Sequence, residues 1–274
     1  MTLDWTNLEQ FAAPAVNPLE WTAVIPAAGR ASRLGFDKPK ILYPVAGRTI
    51  LEWLLDFLSP NCSRIVIVLS SGGREVLEPE LERLIAGRFE IVIQETPRGM
   101  GDAVHAALPA VHTSRVALVW GDQVALRRAS VEACLRLHAG PLEPALTCPT
   151  VSRERPYIHF DRDQAGTIAG LRQAREGDVM PERGESDTGF FCFQTADLRD
   201  LLVSCLADAS ERGRATGELN LLPVIPIAAR RGLTVLTPQL MTLEETVGIN
   251  SAADAQLVES YLHRSHASHG HRET

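Results

Sequence analysis

An α/β fold with a mostly parallel sheet flanked by helices is what this sequence predicts, and three observations carry the prediction. The first is rhythm: from Trp21 onward, short apolar runs alternate with longer amphipathic segments four times in about a hundred residues. Strands that are apolar on both faces need cover on both, and crossover helices between parallel strands supply it. The second is size. A chain of 274 residues can bury a sizeable core, and it suits one large domain, or one domain with an insert, better than two independent ones. The third is composition, 45% apolar and 22% charged, which is that of an ordinary globular protein.

The elements follow in order. Residues 22–26 read as a buried strand that runs into a loop of Gly, Arg and Ser. A helical period covers 49–58, then come a strand at 64–69, a helix near 75–85, a strand at 90–94, a helix near 101–110 and a strand at 115–120. The stretch 145–193 is less regular, with strands at 146–151, 157–161, 167–172 and 190–193 between polar loops, and reads as a smaller added subregion. Helices at 197–206 and 221–229, a strand at 233–236 and a closing helix at 252–263 complete the chain. This divides it into an N-terminal extension (1–20), one body (21–262, with halves at about 21–140 and 141–262) and a tail (263–274). The tail holds four of the eight histidines among Ser, Gly and Arg, which could suggest metal binding; a disordered, solvated terminus is the expectation. No internal repeat is present.

Charge and cysteine usage exclude several classes. The net charge of −7 and pI of about 5.6 leave no global positive field to hold nucleic acid, although a local phosphate site remains buildable. Five cysteines, an odd number without a C-x-x-C pair, fit neither a disulfide framework nor a zinc site and read as buried thiols. Residues 1–20 lack the basic start and apolar stretch of a secretory signal, and no run reaches the eighteen or so apolar residues of a membrane helix. The expectation is a cytoplasmic protein with neither nucleic acid nor membrane as partner. Assembly into a homo-oligomer stays open.

The segment most suggestive of chemistry is Pro26-Ala-Ala-Gly-Arg-Ala-Ser-Arg-Leu-Gly-Phe-Asp-Lys-Pro-Lys40, directly after the first strand. Small residues such as Ala27, Ala28 and Gly29 let backbone N–H groups approach phosphate oxygens. Arg30, Arg33 and Lys40 add cations that could offset charge building on a departing pyrophosphate. Taken alone, the loop also has a plainer reading, an ordinary strand-to-helix turn with surface cations.

The loop resembles the signature of the sugar-nucleotide pyrophosphorylases, and the chain is similar to the uridylyltransferase domains that make UDP-N-acetylglucosamine. Five further segments match in order: 94–106, Trp120-Gly121-Asp122, Asp187-Thr188-Gly189, Gly217-Glu218 and Val247-Gly-Ile-Asn250. Together they span roughly residues 21 to 262. The resemblance implies a Rossmann-like sheet of the GT-A type with a smaller acceptor-binding β subregion. It also implies catalytic roles for Arg33, Lys40 and Asp122, and nucleotide contacts from Ala27, Ala28, Gly29, Arg30, Gln94, Gly99, Met100 and Gly121. Acceptor contacts would come from Tyr157, Gln173, Asp187, Thr188 and Glu218, and Asp122 with Asn250 would bind Mg2+. The chemistry of that last pair is sound, since Mg2+ takes one or two protein oxygens and fills its shell with water and phosphate. Asp122 also reads as a turn former, and Asn250 as a helix N-cap that Ser251 could replace. For His105 and His159, packing or surface roles are the better reading.

The implied activity is transfer of a nucleoside monophosphate from a nucleoside triphosphate, UTP favoured, to a sugar 1-phosphate with release of pyrophosphate. The acceptor phosphate is already anionic, so the lack of a Ser-His-Asp or Cys-His pattern is expected. Departures matter. Ala31 replaces a glycine, Met100 a small hydroxyl residue, Trp120 a tyrosine, Asp187 the sugar-binding asparagine, and Gln173 sits where a glutamate is expected. An ionised Asp187 accepts but cannot donate, which shifts the expected substrate away from N-acetylglucosamine 1-phosphate in particular. Two alternatives stay open: a CTP-dependent cytidylyltransferase acting on a small phospho-alcohol or phosphonate, and an inactive nucleotide-binding regulatory protein. No left-handed β-helix repeat follows residue 262, so an acetyltransferase half is not expected.

Overall fold

The computed structural model describes residues 15–29, 32–208, 212–240 and 242–269. Its centre is a seven-stranded sheet in the order β13-β7-β12-β6-β1-β4-β5. Its strands are β1 (Trp21–Pro26), β4 (Arg64–Ser70), β5 (Phe89–Gln94), β6 (Arg115–Val119), β7 (Leu146–Thr147), β12 (Phe190–Gln194) and β13 (Val235–Leu236). β1, β4, β5 and β6 are mutually parallel, β12 runs antiparallel between β6 and β7, and β13 is parallel to β7. A small hairpin, β2 (Pro44–Val45) and β3 (Arg48–Thr49), precedes the first helix.

The uniform apolarity of the central strands reflects two cores. Ala23, Ile25, Ile65, Ile67, Ala117 and Val119 point to one face, and Val24, Val66, Val68, Val116 and Leu118 to the other. Helices α1 (Ile50–Leu58), α2 (Arg74–Ile85), α4 (Arg128–His138) and α7 (Ala252–His269) contribute to the first core; α3 (Met100–Ala107), α5 (Thr195–Ala207) and α6 (Val224–Arg230) cover the second. α1 opens with a full capping box, Thr49 accepting from the Glu52 N–H while Glu52 accepts from the Thr49 N–H. The smaller subregion holds two antiparallel pairs: β8 (Thr150–Glu154) with β11 (Arg183–Asp187), and β9 (Ile158–Arg162) with β10 (Ile168–Gln173).

Several elements differ from the sequence expectation. Helix α4 was not expected; its apolar spacing is interrupted by Arg128, Glu132 and Arg136. The expected strand 146–151 is two, split at Cys148-Pro149, where the chain leaves the main sheet to pair with β11. The expected helix 101–110 is α3 followed by a 3-10 turn that begins beside Pro109. Helix α7 continues to His269, so 263–269 are helical rather than a disordered tail, and the rest of that expected tail lies outside the described residues, as does 1–14 of the extension. All five cysteines are free and buried. Among the described residues no helix is long and apolar enough to cross a membrane.

The order of the sheet fixes where a ligand can sit. From β1 the chain moves outward to β4 and β5, then returns to place β6 on the other side of β1. The carboxyl ends of β1 and β6 therefore diverge at a switch point, where open α/β sheets form their clefts. A second anchor shapes the far wall. Glu176, 6% exposed, accepts from the backbone N–H groups of Ala215 and Thr216, from the Thr216 hydroxyl and from the Asn220 amide. Burial pushes its carboxyl up, but those donors outweigh it and bring the pKa down to about 2. A group with a lowered folded pKa stabilises above its unfolded value and loses that contribution as pH falls through the folded value. Glu176→Gln should thus cost about 2–3 kcal/mol at neutral pH in urea unfolding. The wild-type advantage over the variant should shrink as pH drops from about 4.5 towards 2.

Candidate functional site

The loop leaving β1 is held under the end of β6. The Ala27 N–H donates to the Val68 carbonyl (2.8 Å) and the Gly121 N–H to the Pro26 carbonyl (3.3 Å). A Cβ on Gly121 would lie 2.9 Å from that Pro26 oxygen, so only glycine lets the two loops close. The Asp122 carbonyl then accepts from the Ile249 N–H at 3.1 Å, which draws the segment before α7 onto the same spot.

These contacts bring Lys40, Asp122 and Asn250 together. The Lys40 ammonium donates to Asp122 Oδ2 at 2.7 Å and to Asn250 Oδ1 at 2.8 Å. The two oxygens come from positions 128 residues apart yet converge on one point. Asn250 is free to do this because Ser251 and Asp254 cap α7: the Asp254 N–H donates to Ser251 Oγ (3.2 Å) and Asp254 Oδ2 accepts from Ser251 Oγ (2.9 Å). The Asn250 amide instead donates back to the Gly248 carbonyl at 3.3 Å. One carboxylate and one carboxamide oxygen aimed at a common cation are a donor set that suits Mg2+, with Lys40 supplying the positive charge between them here. Among the described residues no group of three or more His, Cys, Asp or Glu could hold a metal ion.

Two clefts meet at this point. One, of about 160 Å³, is lined by Ala27, Gly29, Lys40, Gly121 and Asp122, the other, of about 410 Å³, by Tyr157, Gln173, Asp187, Asn220 and Asn250 among others. Met100, Trp120 and Asp122 line both and form the seam. Thus Ala27, Gly29, Lys40, Met100, Gly121, Asp122, Tyr157, Gln173, Asp187 and Asn250, all singled out in the sequence, border one continuous space.

The remaining described positions do not line it. Ala28 is half-buried in the first loop, and Arg33 is exposed in a short 3-10 turn. Arg30, with Ala31, lies outside the described residues. Gln94 ends β5, 7% exposed, and donates to the Gly99 carbonyl (3.2 Å) and to Asp102 (2.9 Å), fastening the turn that launches α3. Gly99 has φ of 111°, a conformation that disfavours side chains, and an added Cβ would collide with the Leu219 carbonyl. The Thr188 hydroxyl is fully buried, and Glu218 is turned to Arg175 at 2.7 Å.

Asp187 anchors the turn between β11 and β12. Its Oδ2 accepts from the Gly189 N–H (2.9 Å), and the Trp120 side chain also bonds it. Burial nonetheless raises its pKa to about 6. Gln123, Arg153, Ile158, Arg175, Asn220 and Asp254 line the larger cleft without having been singled out. Gln123 directly follows Trp120-Gly-Asp122 and was legible by adjacency; Arg153 and Ile158 are placed by strand pairing and Arg175, Asn220 and Asp254 by tertiary packing, which no local pattern announces.

A switch-point cleft split between a small loop-lined side and a larger side has room for two substrates, and the likeness to known proteins places the chain among the nucleotidyltransferases. The chain belongs to the family of MobA-like NTP transferase domains, which it matches over residues 23–188. It is 32% identical over 248 residues, 87% of its length, to the bifunctional protein GlmU of Desulfitobacterium hafniense. It is 34% identical over 254 residues, 89% of its length, to the bifunctional protein GlmU of Burkholderia lata. Each alignment covers 51% of the relative, so the chain spans about half the length of the curated relatives it matches. Two solved structures share the fold. The inositol-1-phosphate CTP transferase from T. maritima superposes with a TM-score of 0.64 at 18% identity, covering 89% of this chain and 97% of that one. A putative glucose-1-phosphate thymidylyltransferase from Bacillus anthracis gives 0.68 at 15%, covering 88% and 94%.

The raised pKa of Asp187 yields a prediction. A carboxyl whose folded pKa lies above its unfolded value, 3.8 rising to about 6, destabilises the fold above pH 6, and the penalty fades as pH falls towards 3.8. The melting temperature of Asp187→Asn relative to wild type should therefore be several degrees lower at pH 5 than at pH 7.5, as read by thermal unfolding at both values.

Proposed function

We propose that the chain transfers a nucleoside monophosphate from a nucleoside triphosphate, with UTP preferred, to a sugar 1-phosphate, releasing pyrophosphate in a Mg2+-dependent reaction. The observation that carries this reading is the convergence of Asp122 Oδ2 and Asn250 Oδ1 on the Lys40 ammonium at the seam of the two clefts. The triphosphate would lie along the small-residue loop, where the backbone at Gly29 and the side chain of Arg33 would be on hand for its oxygens. The acceptor would enter the larger cleft with its phosphate towards Asp122.

An acceptor phosphate oxygen attacks the α-phosphorus, and the bond to the β-phosphate oxygen breaks. The departing pyrophosphate takes the electron pair, so no protein nucleophile or proton transfer is needed. Bound between Asp122 and Asn250, Mg2+ would offset the repulsion between two anionic reactants. Lys40, released from the two oxygens, would then be available to phosphate oxygens whose charge grows in the transition state. The base preference rests on Gln94: with its NH2 group committed to Gly99 and Asp102, the carboxamide oxygen is left to accept from the N3–H of uracil.

Pyrophosphate release measured with each of four nucleoside triphosphates and a panel of sugar 1-phosphates tests the proposal. UTP with Mg2+ should support turnover and EDTA should abolish it. Lys40→Ala should lower kcat/KM by about 10²- to 10³-fold, the usual consequence of removing one transition-state donor. Release with ATP alone would overturn the base assignment, and full turnover after chelation would overturn the metal.

A further inference from the structure

The larger cleft contains one charged side chain that the fold leaves unused. Arg153 sits half-buried on β8 and lines the cleft, and it makes no hydrogen bond or ion pair with any described residue. The other charged groups lining that cleft are engaged. Asp122 holds Lys40, Arg175 holds Glu218, and Asp254 accepts from Ser251 and from the Asn250 N–H. Asp187 spends its oxygens on the Gly189 N–H and the Trp120 side chain.

The neighbouring strand offers no partner either. Across the β8–β11 ladder Arg153 faces Gly184, and Glu185 beside it is gripped by Arg162 through two nitrogens at 2.7 and 2.6 Å. Asp187 feels the charge of Arg153, but no hydrogen bond or ion pair joins the two, and the Asp187 carboxyl is bonded to the Gly189 N–H and the Trp120 side chain instead. A half-buried guanidinium that lines the cleft without a protein acceptor is free to bond an anionic group on a bound ligand.

We propose that Arg153 reads a carboxylate on the acceptor, so that the preferred substrate is a phosphorylated sugar acid, such as a uronic acid 1-phosphate, rather than a neutral sugar phosphate. This rests on the nucleotidyl-transfer reading of the site. The acceptor's reacting phosphate belongs at the seam, beside Asp122, whereas Arg153 lines the larger cleft and not the smaller one. A planar guanidinium matches a carboxylate bidentately. A second phosphate would bring nearly two negative charges to one cation, in a cleft already walled by Asp122, Asp187 and Asp254.

The test compares glucose, galactose and N-acetylglucosamine 1-phosphates with the corresponding uronic acid 1-phosphates, by kcat/KM for pyrophosphate release and by calorimetric binding without nucleotide. Wild type should favour the acid of at least one pair by about 10- to 100-fold, the range of a charge-assisted hydrogen bond. Arg153→Gln should bring that ratio close to one, and Arg153→Lys should keep part of it. Indifference of the wild type across all pairs would overturn the proposal. So would equal losses on acid and neutral acceptors in Arg153→Gln, which would assign the arginine to the reacting phosphate. Absence of turnover with every acceptor would count against the transferase reading instead, and calorimetry would still decide Arg153: tighter binding of the acid that Arg153→Gln removes supports it, equal binding overturns it.

Discussion

The Lys40 ammonium, bonded at once to Asp122 and Asn250, joins the side chains of three segments that backbone hydrogen bonds already bring close: the end of the phosphate-type loop, the end of β6 and the stretch just before α7. Two oxygens that each carry negative charge or a dipole cannot share a small volume without a cation between them. In the protein alone that cation is the lysine. In the proposed reaction Mg2+ would take the place of the lysine between the same two oxygens.

The geometry around this node follows from the sheet. Reversal of strand order at β1 opens the crevice, and parallel pairing of β1 with β4 and β6 puts both loop-bearing ends on the same edge. Gly121 lets those loops touch, while Gly99 lets α3 begin against the backbone at Leu219. Buried polar groups then set the opposite wall: Glu176 gathers the 213–220 segment and Asp187 pins the β11–β12 turn to Trp120. The cleft is thus bounded by backbone held in place on both sides, which is the preorganisation that transition-state stabilisation requires.

Much of this was legible in the sequence because it is locally encoded. Uniformly apolar runs announced β1, β4, β5 and β6, the helical period over 49–58 marked α1, and the small-residue loop and Trp120-Gly-Asp122 announced the ends of two strands. Helix α4 was not legible, since charged residues obscure its apolar face until the core is seen. The division of 146–151 was hidden because strand β8 belongs to a partner, β11, some thirty residues away in sequence. Arg153 escaped for the same reason: its position follows from antiparallel register and from which carboxylates were already taken, and neither is written in spacing. Asn250 was readable as a cap or as a ligand, and the pairing of Ser251 with Asp254 gives the cap to Ser251.

The central claim is that Asp122 and Asn250 offer their oxygens to one cation. It is tested most directly by titrating the protein with Mn2+ in the presence of a non-hydrolysable UTP analogue and counting bound ion by electron paramagnetic resonance. One ion per chain should bind, weakened by about tenfold or more in both Asp122→Asn and Asn250→Ala. Unchanged affinity and stoichiometry in the two variants would contradict the account.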